Sequence, residues 1–527
     1  MTRGTSSAPW SALATLACAG LATFQAQAGP SSRPYSGTPI DVLTYHYDNA
    51  RTGNNDREAD LTVHAVSSSG FGQLSTLTVR GPVLAQPLFV SNFRMPDASV
   101  HDIVVVATET NDVYAIDPDS TETLWHVNLG TPQNGDHLNC TKKSGRSWGI
   151  SATPVIARTG PGRATLYVVA STEDAPGDFR TLLHALDLAD GSDLHRPARV
   201  TAQAVDKDGS TLRLSSRHQY VRAGLAWHKG SVYLALTSRC ESQFEDRITG
   251  WILRYDDRLK QTSAFHTISA GAADLRLASV WAAGFAPAIG DEGSLFVVTG
   301  NGHFDATNQD WGESVLKLDP ALAQVEDYFT PANYAFLNDA DLDLGGGGVL
   351  LMPTRDAPNA PPMAVAMGKS NTLYLLDRSR LGQERDGDAG ALQATQLQGG
   401  GVFGGPAYWH GPDGPLVLYQ SRDDVLRAYA LETQPAPRLT EVAKGTEVAT
   451  NSIPIVSSRG NEAGTGIVWT INHTDFRAYD AQALGKPIFE ATIPPFNGGS
   501  VFVTPLQANG RVYVGTDSAV LVYGLSN

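Results

Sequence analysis

Apolar, strand-length runs alternate with polar, turn-rich stretches along most of the chain, and the alternation has a period. The clearest repeat is a strand ending in an apolar-Asp step followed by a turn. Its copies are "VYAIDPDSTETLW" (Val113–Trp125), "LHALDLADGSDL" (Leu183–Leu194), "LRYDDRLKQ" (Leu253–Gln261) and "LKLDPALAQ" (Leu316–Gln324). It continues as "YLLDRSRLG" (Tyr374–Gly382), "RAYALETQP" (Arg427–Pro435), "RAYDAQALG" (Arg477–Gly485) and a degenerate "LVYGL" (Leu521–Leu525). Asp117, Asp187, Asp256, Asp319, Asp377 and Asp480 recur at the strand end, where an aspartate caps a turn by accepting backbone N–H groups. A second short apolar strand precedes each copy, marked by Pro87, Pro154, Gly224, Pro287, Gly348, Pro406, Pro454 and Pro505. Eight such units of roughly 45–70 residues predict an all-β, eight-bladed β-propeller. Each blade takes strand A from the Pro/Gly anchor, then B, then C from the Asp-ending strand, then D.

The eighth unit stops at Asn527, just after its C strand, and so lacks a D strand. "FGQLSTLTV" (Phe71–Val79) precedes the first A strand with no partner of its own, so it is expected to complete the last blade and leave no open edge. The expected domains are a signal peptide (1–28), an N-terminal extension (29–69) and the propeller (70–527). In the first five blades the long insertions fall between B and C, or between D and the next A. Antiparallel pairing puts both kinds of loop on one face, over the central channel, where a binding site belongs.

Composition narrows the partners. A net charge of -15 argues against nucleic acid and anionic membrane. Arg3, an apolar stretch from Trp10 to Phe24 and "AQA" before Gly29 read as a cleaved export signal, with a lipoprotein signal lipidated at Cys18 as the alternative, so the mature protein is expected to be periplasmic or secreted. No later run is long enough to span a membrane. Cys140 and Cys240 remain after cleavage, map to loops of the same face and are expected to form a disulfide in an oxidising compartment. No C-x-x-C-H haem motif occurs, so an electron acceptor would be a separate protein.

The "YAID…TLW" repeat and the count of eight resemble the pyrroloquinoline-quinone (PQQ) type propeller of quinoprotein alcohol dehydrogenases, over nearly the whole mature chain. "TYHYDNARTGNN", "FLNDADLDLGGGGVLL" and "GGVFGGPAYW" also look like exported bacterial PQQ-like repeat proteins. The resemblance implies a quinone resting on Trp281 and a Ca²⁺ ion bound by Asn301, Asp343 and Glu173. It also implies Asp343 as general base and Lys369 against the quinone oxygens. The substrate implied is an alcohol or sugar. One feature departs from the pattern: the loop that carries two adjacent cysteines in those dehydrogenases has Cys140 alone.

The residues themselves leave plainer roles open. Asn301 in "TGNG" suits a turn with positive φ, Trp281 an inter-blade core, and Lys369 a solvated loop. Asp339, Asp341 and Asp343 suit a purely structural Ca²⁺ loop, and His303 has no second histidine at metal spacing. Two functions follow: a quinone- and Ca²⁺-dependent dehydrogenase, or a non-enzymatic propeller that binds a protein or glycan through its looped face.

Overall fold

The structure, a computed structural model, describes residues 33–138, 146–206, 209–239, 248–269, 277–450, 452–496 and 502–527. The expected export signal and both Cys140 and Cys240 lie outside the described residues. The chain folds into eight antiparallel blades arranged as a propeller. Blade 1 shows the plan: A Leu88–Arg94, B Val100–Ala107, C Asp112–Ile116 and D Thr123–Asn128, hydrogen-bonded in that order.

Side-chain alternation explains why the B strands read as continuous apolar runs. In blade 1, Val104 and Val106 pack towards blade 8, whereas Ile103, Val105 and Ala107 pack towards blade 2. Both faces of the sheet are therefore buried. The same arrangement gives one large apolar cluster at each of the eight blade seams.

The repeated aspartates are turn caps. Asp117 accepts from the backbone N–H groups of Asp119 and Ser120 at 2.7 and 3.0 Å. Asp187, Asp256, Asp319, Asp377 and Asp480 each accept from the residue two positions on. Blade 8 closes as the unpaired strand requires. Phe71–Thr78 pairs with Ala519–Leu525, Phe71 opposite Leu525 and Thr78 opposite Ala519.

The N-terminal segment holds a feature that its polar sequence does not announce. Residues 40–55 wind around the axis and bond to the A strand of every blade in turn. Val42 exchanges two backbone bonds with Phe89 of blade 1, and Ile156 of blade 2 donates to the Leu43 carbonyl at 2.8 Å. The Asn49 amide reaches the Trp227 carbonyl of blade 3 at 3.1 Å. Ile289, Leu351, Tyr408 and Val456, of blades 4 to 7, donate to the carbonyls of Asn49, Ala50, Thr52 and Gly53. The Tyr47 hydroxyl closes the circuit on Gln507 of blade 8 at 2.9 Å. Inner-edge groups that would face an open channel are satisfied by this plug.

Candidate functional site

The loops at the starting ends of the A strands of blades 4 and 5 bring Trp281, Asn301, Asp343 and Lys369 together. Trp281 Nε1 donates to Asp343 Oδ2 at 2.6 Å. Lys369 forms ion pairs with Asp343 Oδ1 and, at 2.7 Å, with Asp341 Oδ1. Asn301 Nδ2 donates to the same Asp341 oxygen at 3.0 Å. The Lys369 ammonium lies 5.5 Å from the Trp281 ring centroid, within cation–π range.

Local sequence makes this close approach possible. In "LGGGGVLL" a Cβ on Gly345 would strike the Gly300 backbone, and one on Gly347 the Met367 carbonyl. Lys369 N bonds to the Asp343 carbonyl at 3.1 Å, which fixes one loop on the other. Asn338 clamps Gly302 from both sides, accepting from its N–H and donating to its carbonyl, each at 2.8 Å. Leu277, Ala278, Ala282, Ala283, Glu313 and Asp341 all hold positive φ, between 40° and 52°. Such backbone is costly for residues with a Cβ and concentrates where the surroundings impose a geometry.

Asn301 is not among the positive-φ residues, so it is not a left-handed turn former. Its side-chain oxygen is buried and has no hydrogen-bond partner among the described residues. Glu313, which the sequence reading passed over, is fully buried behind Asp343. Its Oε2 accepts from Leu344 N at 2.6 Å, and its Oε1 has no partner among the described residues. Burial, then the charge of Asp343, pushes the Glu313 carboxyl well above the ordinary range. Burial likewise raises Asp343, against the pull of Lys369. Burial works against the Lys369 charge, but Asp343 and Asp341 outweigh it and hold the ammonium above its usual value.

Glu173 stands in a separate cluster. It accepts from Asn134 N at 2.8 Å, Gly177 N at 2.5 Å and His137 Nδ1 at 2.7 Å. These bonds hold its carboxyl below the ordinary range despite burial. No hydrogen bond or ion pair among the described residues joins it to Trp281, Asn301, Asp343 or Lys369. Asp339 is exposed at the end of the short helix Tyr334–Asp339, and His303 faces Asp310 at 3.9 Å. An apolar rim completes the site: Phe403 and Phe502 stack at 5.2 Å, each about 6 Å from Trp281.

No family model and no curated protein matches the chain. Solved structures do. Quinohemoprotein alcohol dehydrogenase from Comamonas testosteroni is similar at a TM-score of 0.57 and 15% identity, over 92% of this chain and 81% of that one. The corresponding enzyme from Pseudomonas putida HK5 is similar at 0.57 and 12%, over 92% and 80%. A europium-containing methanol dehydrogenase is similar at 0.59 and 12%, over 93% and 98%. At these identities the likeness is one of fold: the chain has the eight-bladed propeller architecture of the quinoprotein alcohol dehydrogenases.

Proposed function

We propose that the Trp281–Asn301–Asp343–Lys369 cluster binds a hard cation with a quinone of the PQQ type and oxidises an alcohol or sugar. The observation that carries this reading is the convergence of the four side chains beside two buried oxygens, Asn301 Oδ1 and Glu313 Oε1, that have no partner among the described residues. Asn301 Oδ1, Glu313 Oε1 and the Asp343 carboxylate are amide and carboxylate donors of the kind Ca²⁺ and lanthanide ions take. Asn301 and Asp343 would hold the cation, Trp281 would offer its ring to the flat cofactor, and Lys369 would place positive charge at its oxygens. The chemistry supplied by such a bound pair is hydride acceptance at a carbonyl polarised by a Lewis acid.

In this reading Asp343 would receive the substrate hydroxyl proton. Trp281 Nε1–H and Lys369 fix its two oxygens, so the carboxylate enters the reaction already oriented. Phe403 and Phe502 keep one side of the site apolar, which favours a substrate over bulk water. Export to the periplasm or beyond, a Cys140–Cys240 bridge and a separate electron acceptor belong to the same reading.

The test is reconstitution of purified protein with PQQ and Ca²⁺ or a lanthanide, followed by dye-linked oxidation of alcohols and sugars. Wild type should bind the quinone and turn over, and Asp343→Asn should bind it but lose turnover by two orders of magnitude or more. Absence of quinone binding, under conditions that load a known quinoprotein, would leave the non-enzymatic binding propeller in its place.

A further inference from the structure

A second concave site lies at the other end of the channel. It sits where the A strands of blades 4 and 5 finish, at Ile289 and Leu351, beside Tyr408 and His410 of the blade 6 A strand, and its inner wall is the plug segment around Asp48–Asn54. The cavity is about 620 Å³, within the roughly 300–1,000 Å³ typical of small-molecule sites. The dehydrogenase reading makes no use of it, because Asn301 and Asp343 stand at the opposite ends of these strands.

The lining is polar and partly preset. Asp356 is fixed by the Tyr408 hydroxyl at 2.7 Å and by His410 Nδ1 at 2.7 Å. Asp48 is committed to Thr52, through N at 3.0 Å and Oγ1 at 2.5 Å. Other groups are left without partners. Asn54 Oδ1 and Arg378 Nε are buried and have no hydrogen bond among the described residues. Asp56, Asp291 and Asn461 stand exposed at the rim.

The lining also selects among ligands. An anion such as phosphate would meet four carboxylates, Asp48, Asp56, Asp291 and Asp356. A polyamine would meet the guanidinium groups of Arg355 and Arg378. An apolar ligand would cover the polar groups of Asn54, Arg378 and Asp356 without pairing them. Donors and acceptors placed side by side suit hydroxyl groups, which donate and accept at once.

We propose that this cavity binds a neutral polyhydroxylated ligand, a sugar or polyol, with Asn54 and Arg378 as its inner contacts and Asn461 at its rim. The site is independent of the quinone site.

The test uses the full mature protein in calorimetric titration with glucose, maltose, cellobiose and mannitol. Spermidine and inorganic phosphate serve as cationic and anionic comparators. At least one neutral compound should bind with a stoichiometry of one. Asn54→Ala should weaken it roughly tenfold, the cost of a lost hydrogen bond. Asn461→Trp changes only an exposed rim residue and should abolish binding by filling the mouth, and Asp343→Asn should leave it unchanged. The proposal is overturned if none of the neutral compounds binds, if spermidine or phosphate binds in their place, or if Asn461→Trp binds as well as wild type.

Discussion

Replacing Arg51 by methionine should loosen the channel plug and through it the whole ring. The Arg51 side chain is completely buried in residues 40–55 and has no carboxylate ion-pair partner among the described residues. It donates twice to the Pro287 carbonyl, at 2.9 and 2.7 Å. It also donates to Thr44 Oγ1 and to the Tyr45 and Asp48 carbonyls, at 2.8, 2.8 and 2.9 Å. Burial lowers its pKa to about 10, which leaves it charged at neutral pH. Methionine keeps much of the stem volume and removes every donor. Three backbone carbonyls then lose a partner, at about 1–3 kcal/mol each. Relief from burying a guanidinium offsets part of that, so a net loss of about 3–5 kcal/mol is expected. With an unfolding entropy near 2.1 cal/mol/K per residue over roughly 500 residues, that loss lowers Tm by about 3–5 °C. Differential scanning calorimetry of Arg51→Met measures it, with Arg355→Met as control because that side chain is 74% exposed. An Arg51→Met protein that melts with the parent would refute the idea that this hub secures the plug.

Two other perturbations separate the site from the scaffold. The raised Glu313 carboxyl means that the native state binds more protons than the unfolded chain above the ordinary glutamate range. Stability conferred on the protonated form is therefore present at low pH and falls as pH rises. Glu313→Gln should be more stable than wild type at neutral pH, and the difference should shrink on acidification in denaturant titrations; a pH-independent difference counts against the burial argument. Removing residues 1–78 should expose the edge at Ala519–Leu525 and give aggregates in size-exclusion chromatography. Removing 1–69, which keeps the closing strand, should give less aggregate; equal behaviour would mean that the strand does not close the ring.

The blades were legible because their signals are local and repeated. An aspartate that caps its own turn, as Asp377 does for Ser379, leaves the same mark in sequence each time. The closing strand could be found by elimination, since "GQLSTLTV" had an apolar pattern and no neighbour. The plug was hidden for the opposite reason. Its bonds run to A strands up to 460 positions away, and its polar and apolar side chains are mixed without a sustained strand or helix period. Trp281, Asn301, Asp343 and Lys369 were candidates through the resemblance to the quinoprotein dehydrogenases, and the fold brings their side chains together, whereas Glu313 was not a candidate. It ends "NGHFDATNQDWGE", whose polarity reads as surface, and only the folded loop shows its carboxyl sealed behind Asp343. Glu173 shows the limit of spacing arguments, for its own loop and His137 occupy its oxygens.

Terbium(III) tests whether Asn301 and Asp343 hold a hard cation beside Trp281, as proposed. This ion prefers the same oxygen donors and emits when excited through a nearby indole. Titration into the metal-free protein should give saturable sensitised emission at one ion per chain. Asn301→Ala and Asp343→Asn should each remove most of it, and Trp281→Phe should dim it without changing affinity measured by calorimetry. Emission that is absent, or that persists undiminished in both Asn301→Ala and Asp343→Asn, would contradict the account.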